Sequence, residues 1–289
     1  VLENLTTGTD NVAVGFVAGR RITGTHNVSI GSYAHDYGYV STKSIAIGYQ
    51  SAQYSTGSFN TFVGYQAGRG GTNSAPFSSG EKNVAIGYQA FDAFTSGYRN
   101  TVLGYKAGTS VTTGYSNVLI GYEAAEVIST GYENVVIGAN PSQANLQQST
   151  LIGFNAGKEG TAHNVVGIGY RALGTGTLTT DANGTVAIGY SAGSALTEGQ
   201  YNVLIGYEAG STITTSDRNV AIGYQALHDL SNTGAQKNIV IGWKAGLGGS
   251  GDMSDNIAIG DNAMDGTGTL DALSNIFIGR DAGGGTWTT

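Results

Sequence analysis

The sequence predicts an all-β fold: a parallel β-solenoid, or β-roll, with one coil per repeat of about 17 residues. Three observations predict it. A short motif recurs along the whole 289-residue chain at spacings of 15 to 23. The motif is rich in β-branched residues and too short for a helix. Its 48 glycines follow no three-residue period and come with only 2 prolines, which excludes a collagen triple helix.

The motif reads Asn, apolar, small or apolar, Val/Ile/Leu, Gly, aromatic, any residue, Ala, often followed by Gly. A Gly/Ser/Thr-rich connection of variable length comes next. The Gly after Val/Ile/Leu serves as a marker at Gly15, Gly31, Gly48, Gly64, Gly87, Gly104, Gly121, Gly138, Gly153, Gly169, Gly189, Gly206, Gly223, Gly242, Gly260 and Gly279, which makes sixteen units. The preceding residue is apolar in all sixteen, as at Ile86, Ile120 and Ile222. An aromatic follows the marker in twelve units, as at Tyr88, Tyr122 and Tyr224. Ala stands three after it in fourteen, as at Ala90, and Asn four before it in twelve, as at Asn83, Asn117 and Asn219. Near Asn164 one extra residue enters the register, which reads as a bulge.

Asn-Val-Ala-Ile-Gly predicts a strand of about four or five residues. A 17-residue period would give about five helical turns, but a Gly at every marker and in the connections would interrupt them. One strand per repeat therefore predicts one coil per repeat. At ~4.8 Å per coil, sixteen coils would span roughly 75 Å. The repeat covers residues 1–289 as a single β-solenoid domain. The Val/Ile/Leu file is expected to fill the coil interior, with each side chain stabilising by ~1.5–3 kcal/mol on burial. The marker Gly is expected to make a bend where a Cβ would clash. The Asn is expected to bond its own turn and stack its amide on identical neighbours. The Ala leaves space for close backbone approach.

Successive strand residues point to opposite faces. The residue two before the marker is also apolar or small, as at Ala13, Ala46, Phe62, Ala85, Val102 and Leu119. Both strand faces thus avoid polar groups, and a thin coil has only one inside. The second face is expected to pack against the same strand in neighbouring chains. A flattened two-layer monomer with a partly exposed Ala stripe is the alternative.

Composition narrows the function classes. Charged residues are 11%, against ~25% in ordinary soluble domains. The 40% apolar content argues against disorder. Net charge is −7 and the 13 Lys and Arg are scattered, so no nucleic-acid partner is expected. Zero Cys removes disulfides and thiolate sites together. The sequence has no apolar run of 18 residues, so no membrane-spanning helix is expected. It opens on repeat-like sequence without Met or a signal peptide, and reads as a processed chain or a segment of a longer fibre protein.

Asn-Val-Ala-Ile-Gly-Tyr-Gln-Ala, at 83–90 and again at 219–226, resembles the head repeat of trimeric autotransporter adhesins. It is still more similar to the Ile-Gly-Tyr-x-Ala repeats of phage tail-fibre proteins. The resemblance implies a left-handed β-roll assembled as a homotrimer. It further implies an extracellular location, on a virion tail fibre or a cell surface. The partner it implies is a host-cell receptor, glycan or protein, contacted by a tip that can lie outside this segment. The sequence departs from the adhesin pattern: its unit is longer, its aromatic is more regular, and no heptad stalk or anchor strands follow Gly279. These departures favour a fibre shaft.

No residue set predicts catalysis, a metal or a cofactor. His26, His35, His163 and His228 show no metal-ligand spacing, and Asp36 beside His35 makes no triad. Gly248-Gly249-Ser250-Gly251-Asp252 resembles a calcium-binding glycine repeat, but its Asp falls one position early and the motif does not recur. Gly174-Thr175-Gly176 lacks the strand-to-helix context and Lys of a phosphate loop. Asn4-Leu5-Thr6, Asn27-Val28-Ser29 and Asn183-Gly184-Thr185 match the glycosylation triplet, as chance allows in such a composition. A glycan-cleaving enzyme would need paired carboxylates in a groove, and the acidic residues here are scattered.

Solenoid insertions project from one face, so the longer connections 69–82, 173–184, 227–237 and 264–274 are candidate receptor-contact loops. Phe77, Phe91, Phe94, His228 and Met264 are the exposed apolar or aromatic candidates in or near them. Thr pairs at 6–7, 112–113, 179–180 and 214–215 raise an ice-binding alternative. The expected function is a structural fibre shaft supporting attachment to a host surface. A bacterial surface adhesin and an ice-binding solenoid are the alternatives.

Overall fold

A computed structural model of the protein describes residues 8–141, 146–157, 160–179, 182–229, 235–247, 252–266 and 270–285. It is an all-β parallel β-solenoid of about fifteen turns, with no α-helix among the described residues. The protein divides into two compact units, Val1–Gln147 and Gln148–Thr289.

The first unit stacks β1 (Val12–Val14), β2 (Val28–Ile30), β3 (Ile45–Ile47), β4 (Thr61–Val63), β5 (Val84–Ile86), β6 (Thr101–Leu103), β7 (Val118–Ile120) and β8 (Val135–Ile137). Neighbours pair in parallel and in register, as in Val84↔Thr101, Ala85↔Val102 and Ile86↔Leu103. The second unit repeats this with β9 (Thr150–Ile152), β10 (Val166–Ile168), β11 (Val186–Ile188), β12 (Val203–Ile205), β13 (Val220–Ile222) and β14 (Ile239–Ile241). It continues through β15 (Met253–Ser254), β16 (Ile257–Ile259), β17 (Ala272–Leu273) and β18 (Ile276–Ile278), of which β15 and β17 form a separate two-stranded sheet.

Each repeat strand is three residues long, shorter than expected. The marker glycine ends it. Gly87 has φ 141°, and a Cβ there would lie 2.7 Å from the carbonyl carbon of Gly104 in the next coil. Only glycine fits both the dihedral and the contact.

A three-residue strand has one inward residue and two outward ones, and the inward one is the middle residue. Ala46, Phe62, Ala85, Val102, Leu119 and Val136 are fully buried. The expectation that the Val/Ile/Leu file fills the interior is therefore corrected. Ile86 is 41% exposed, and Ile120 and Ile222 are half-buried on the outside. β-Branched residues suit the outer, pleated surface, while the inside must match what lies across the coil.

What lies across is the fourth residue after the marker, and in several coils the two positions compensate in size. Phe62 faces Gly68, where a Cβ would come within 2.5 Å of its ring. Val240 and Gly246 pair similarly, with the added Cβ 3.0 Å from Val240 Cγ1. In four coils a small strand residue stands with a large, fully buried far residue: Ala85 with Phe91, Gly167 with Leu173, Ala221 with Leu227 and Ala258 with Met264, whereas Ala46 with Ala52 and Ala187 with Gly193 are small at both positions. Phe91, Phe94 and Met264 are thus core residues, not exposed contact candidates. Phe91 and Phe94 stack on each other at 4.9 Å and fill the space left by Ala85.

The bulge expected near Asn164 is absent. Val166, Gly167 and Ile168 pair in unbroken register with both neighbouring strands. The buried Val165 simply takes the place held elsewhere by Asn.

The Asn residues form a ladder of amides. Asn83, Asn100, Asn117 and Asn134 each donate from Nδ2 to Oδ1 of the preceding Asn at 3.0–3.1 Å. Asn219, Asn238, Asn256 and Asn275 do the same in the second unit. The second Nδ2 hydrogen reaches a backbone carbonyl, as Asn83 to Gly97 at 2.9 Å. That carbonyl lies 14 residues on, so the Asn ties coils together instead of closing its own turn. Each amide is saturated, which is what lets it stay buried.

Corners are turned by left-handed residues. The second residue after every marker has positive φ, among them Gln66, Gln89, Lys106, Glu123 and Arg171. So does the fifth before it, among them Lys82, Arg99, Ser116, Glu133 and Tyr201.

Candidate interaction surface

The outer face of the repeat strands carries two files of side chains. In the first unit one file runs Val12, Val28, Ile45, Thr61, Val84, Thr101, Val118 and Val135. The other runs Val14, Ile30, Ile47, Val63, Ile86, Leu103, Ile120 and Ile137. The second unit has the same arrangement, ending on Ile276 and Ile278. Among the described residues no strand carries a charge, and Thr61, Thr101 and Thr150 are the polar members of the two files. Val14, Ile30, Ile45, Ile86 and Ile239 are exposed, and most of the others are half-buried against their neighbours. With strands ~4.8 Å apart, eight of them give a face about 35 Å long, roughly 400 Å² per unit. The largest apolar patch of a typical monomer is of that size and is often a functional one.

An aromatic file runs beside this face. Tyr49, Tyr65, Tyr88, Tyr105 and Tyr122 stack ring on ring at 5.0–5.3 Å, within 17° of parallel. Phe154, Tyr170, Tyr190, Tyr207, Tyr224 and Trp243 stack likewise at 5.0–6.1 Å. A second short file, Tyr98, Tyr115 and Tyr132, stacks at 5.0 Å. In the short file the Tyr132 hydroxyl donates to Gln147 Oε1 at 2.9 Å. Gln66 and Gln89 donate from Nε2 to Oε1 of the preceding glutamine at 2.7 and 2.9 Å, one residue beyond the tyrosines.

The connection 69–82 folds back on the first unit. Phe77 packs on Tyr37 at 5.1 Å, Tyr39 at 5.8 Å and Tyr54 at 6.4 Å. Arg21 lies 4.1 Å over the Tyr37 ring. Beside this cluster, Tyr54, Arg69, Gly70, Gly71 and Asn73 line a cleft of about 240 Å³. Arg69 Nε is 3.0 Å from Asp92. Burial pushes the Asp92 carboxyl up to about 6 against the pull of Arg69. Of the apolar loop candidates, Phe77 thus stays at the surface, tied into an aromatic cluster.

The histidines are dispersed. His35 is fully buried, with Nδ1 3.4 Å from Ser29 Oγ, and desolvation lowers its pKa to about 4. His26 lies 3.5 Å from Asp10, and His228 lies 3.5 Å from Glu208 and beside Asp229. His163 is half-buried. Among the described residues no group of three or more His, Asp or Glu is placed to hold a metal. Asn27, of one glycosylation triplet, is fully buried in the Asn ladder. Thr95, Thr112 and Thr197 donate their hydroxyls to carbonyls of the next coil at 3.1–3.2 Å. Asn4-Leu5-Thr6, Thr6-Thr7, Thr180, Gly248–Gly251 and the middles of the connections 173–184, 227–237 and 264–274 lie outside the described residues.

Neither the size compensation across the coil nor the left-handed corners were expected from the sequence. The first had a visible signal, the alternation of small and large residues at two positions six apart. No protein-family model, curated protein or solved structure matches the sequence.

Proposed function

We propose that this protein is a shaft segment of an extracellular fibre, of the kind found in phage tail fibres or similar surface appendages. In this reading, copies of it pack their outer Val/Ile faces together, three copies around an axis by analogy with the repeat it resembles. The shaft holds a receptor-binding tip away from a particle and supports attachment to a host surface. The protein then performs no catalysis and takes no cofactor. The observation that carries the reading is the uncharged outer face. It is continuous and regular over eight strands of each unit, and every copy of the protein presents the same two files.

Multi-angle light scattering of the intact protein tests it, together with an Ile86→Lys/Ile120→Lys variant. The wild type should have the mass of a trimer. The variant should be monomeric with an unchanged far-ultraviolet spectrum, because the substituted residues face outward. A monomeric wild type would overturn the reading.

The cleft beside Phe77 favours a second reading, an adhesin that contacts a host glycan directly. Its aromatic cluster, Arg69 and Asn73 offer the mixture of flat apolar rings and polar groups that a sugar requires. Glycan binding lost in Tyr54→Ala and Arg69→Ala would support it. The ice-binding alternative draws on the threonines, of which Thr95, Thr112 and Thr197 are bonded to the next coil. Thermal hysteresis is its test.

A further inference from the structure

The tyrosine files are arranged for a chemistry that isolated tyrosines lack. Tyr65, Tyr88 and Tyr105 stack at 5.0 and 5.2 Å with their planes within 11° of parallel. Tyr190 and Tyr207 stack at 5.0 Å and 6°. Each of these rings is between 42 and 44% exposed, so an oxidant in solution can reach it. The ring carbons ortho to the hydroxyl are the coupling positions of a phenol, and the ring one coil away is the nearest partner for them.

We propose that these files are sites of oxidative tyrosine coupling, which staples successive coils of one molecule through dityrosine. The oxidant is hydrogen peroxide used by an enzyme of the haem-peroxidase class, which removes one electron and one proton from each of two neighbouring phenols. The two phenoxyl radicals pair their unpaired electrons in a new bond between ortho carbons. The hydrogens on those carbons then move to the oxygens, restoring both rings. One peroxide accepts the two electrons and two protons, and leaves as two waters. To bond, neighbouring rings turn about χ2 and lean together about χ1; the coil spacing already holds them side by side, and such pre-positioning lowers the barrier to a two-centre reaction. The staple would join coils that are otherwise held by hydrogen bonds and packing alone. It forms within one molecule.

The geometry supplies an internal control. Tyr33 and Tyr49 are also neighbours, at 6.2 Å, but meet edge to face at 82°. The test is to treat the intact protein with a haem peroxidase and hydrogen peroxide, then to map linked peptides by tandem mass spectrometry. Tyr65–Tyr88, Tyr88–Tyr105 and Tyr190–Tyr207 links are expected, each lighter by two hydrogens, with the blue fluorescence of a biphenol. A Tyr33–Tyr49 link should be absent. A Tyr65→Phe/Tyr105→Phe variant leaves Tyr49, Tyr88 and Tyr122 two coils apart, and should lose all links among them. It should fold normally, since Phe154 already stacks in the second unit's file at 5.5 Å from Tyr170. Missing file links, equal coupling at Tyr33–Tyr49, links that persist in the variant, or a Tyr88–Tyr88 link joining two molecules in their place would each overturn the proposal.

Discussion

An Asn100→Ala substitution should cost about 4 kcal/mol of local stability, because it removes a rung from the middle of the Asn ladder. Asn100 is 1% exposed. Its Nδ2 donates to Asn83 Oδ1 at 3.1 Å and to the Gly114 carbonyl at 2.9 Å. Its Oδ1 accepts from the backbone N and from Nδ2 of Asn117, both at 3.0 Å. Alanine deletes all four bonds and strands partners on Gly114 and Asn117 in a place closed to water. At ~1 kcal/mol net per bond the sum is about 4, above the usual range for single substitutions. Solenoid stability is set largely by neighbouring coils, so the loss should be concentrated there. Amide hydrogen exchange over residues 83–134 is the assay, with urea unfolding as the global measure. Protection in these coils should fall roughly a thousandfold, at tenfold per 1.4 kcal/mol. An Asn100→Ser control should be milder, because Ser44 holds the equivalent rung and its Oγ accepts the Asn60 N–H at 3.1 Å. A loss below ~1 kcal/mol in the Ala variant would refute the idea that the ladder holds the coils together.

Three further outcomes follow from the same contacts. Gly68→Leu should be destabilising by ~1–3 kcal/mol through overlap with Phe62, and adding Phe62→Ala should recover much of it, recreating the Ala221–Leu227 pairing; simple additivity in a urea double-mutant cycle would contradict size compensation. His35 has its pKa lowered from 6.5 to about 4 by burial, so the folded state resists its protonation. Its contribution is present above pH 6.5 and is lost as the pH falls toward 4, a change of about 3 kcal/mol that should vanish in His35→Leu when both are unfolded in urea across that range. Ser116 sits at φ 55°, so Ser116→Gly should raise the urea midpoint by an equivalent of ~0.5–1 kcal/mol, and a decrease would show that the corner is not strained.

The repeat made much of this fold legible. The marker Gly, the Asn and the aromatic each occur at fixed offsets, and in the structure each forms a file. What the repeat hid was which strand face turns inward. Val84, Ala85 and Ile86 are all apolar, so hydrophobicity could not choose between them. The choice is made across the coil, where Ala85 leaves room for Phe91. The corners were hidden for another reason. Left-handed residues are usually Gly, Asn or Asp, but here Gln89, Lys106, Glu123 and Arg99 take that conformation because stacked neighbours impose it. The cleft beside Phe77 was foreshadowed only as a long connection, since Tyr37, Tyr54 and Arg69 come from different coils.

The Asn ladder also has a direction. From Asn60 to Asn117 each amide oxygen accepts from the Asn one coil toward the C-terminus, and from Asn83 to Asn134 each amide donates one N–H to the Asn one coil toward the N-terminus. Asn202 to Asn275 are oriented alike. Aligned amides add their dipoles, as peptide groups do along a helix, and each polarises the next. Each run is therefore a small electret with unlike poles. An anion is favoured at the N-terminal pole and a cation at the C-terminal one, and a rung without an amide, such as Ser44 or Thr185, interrupts the field.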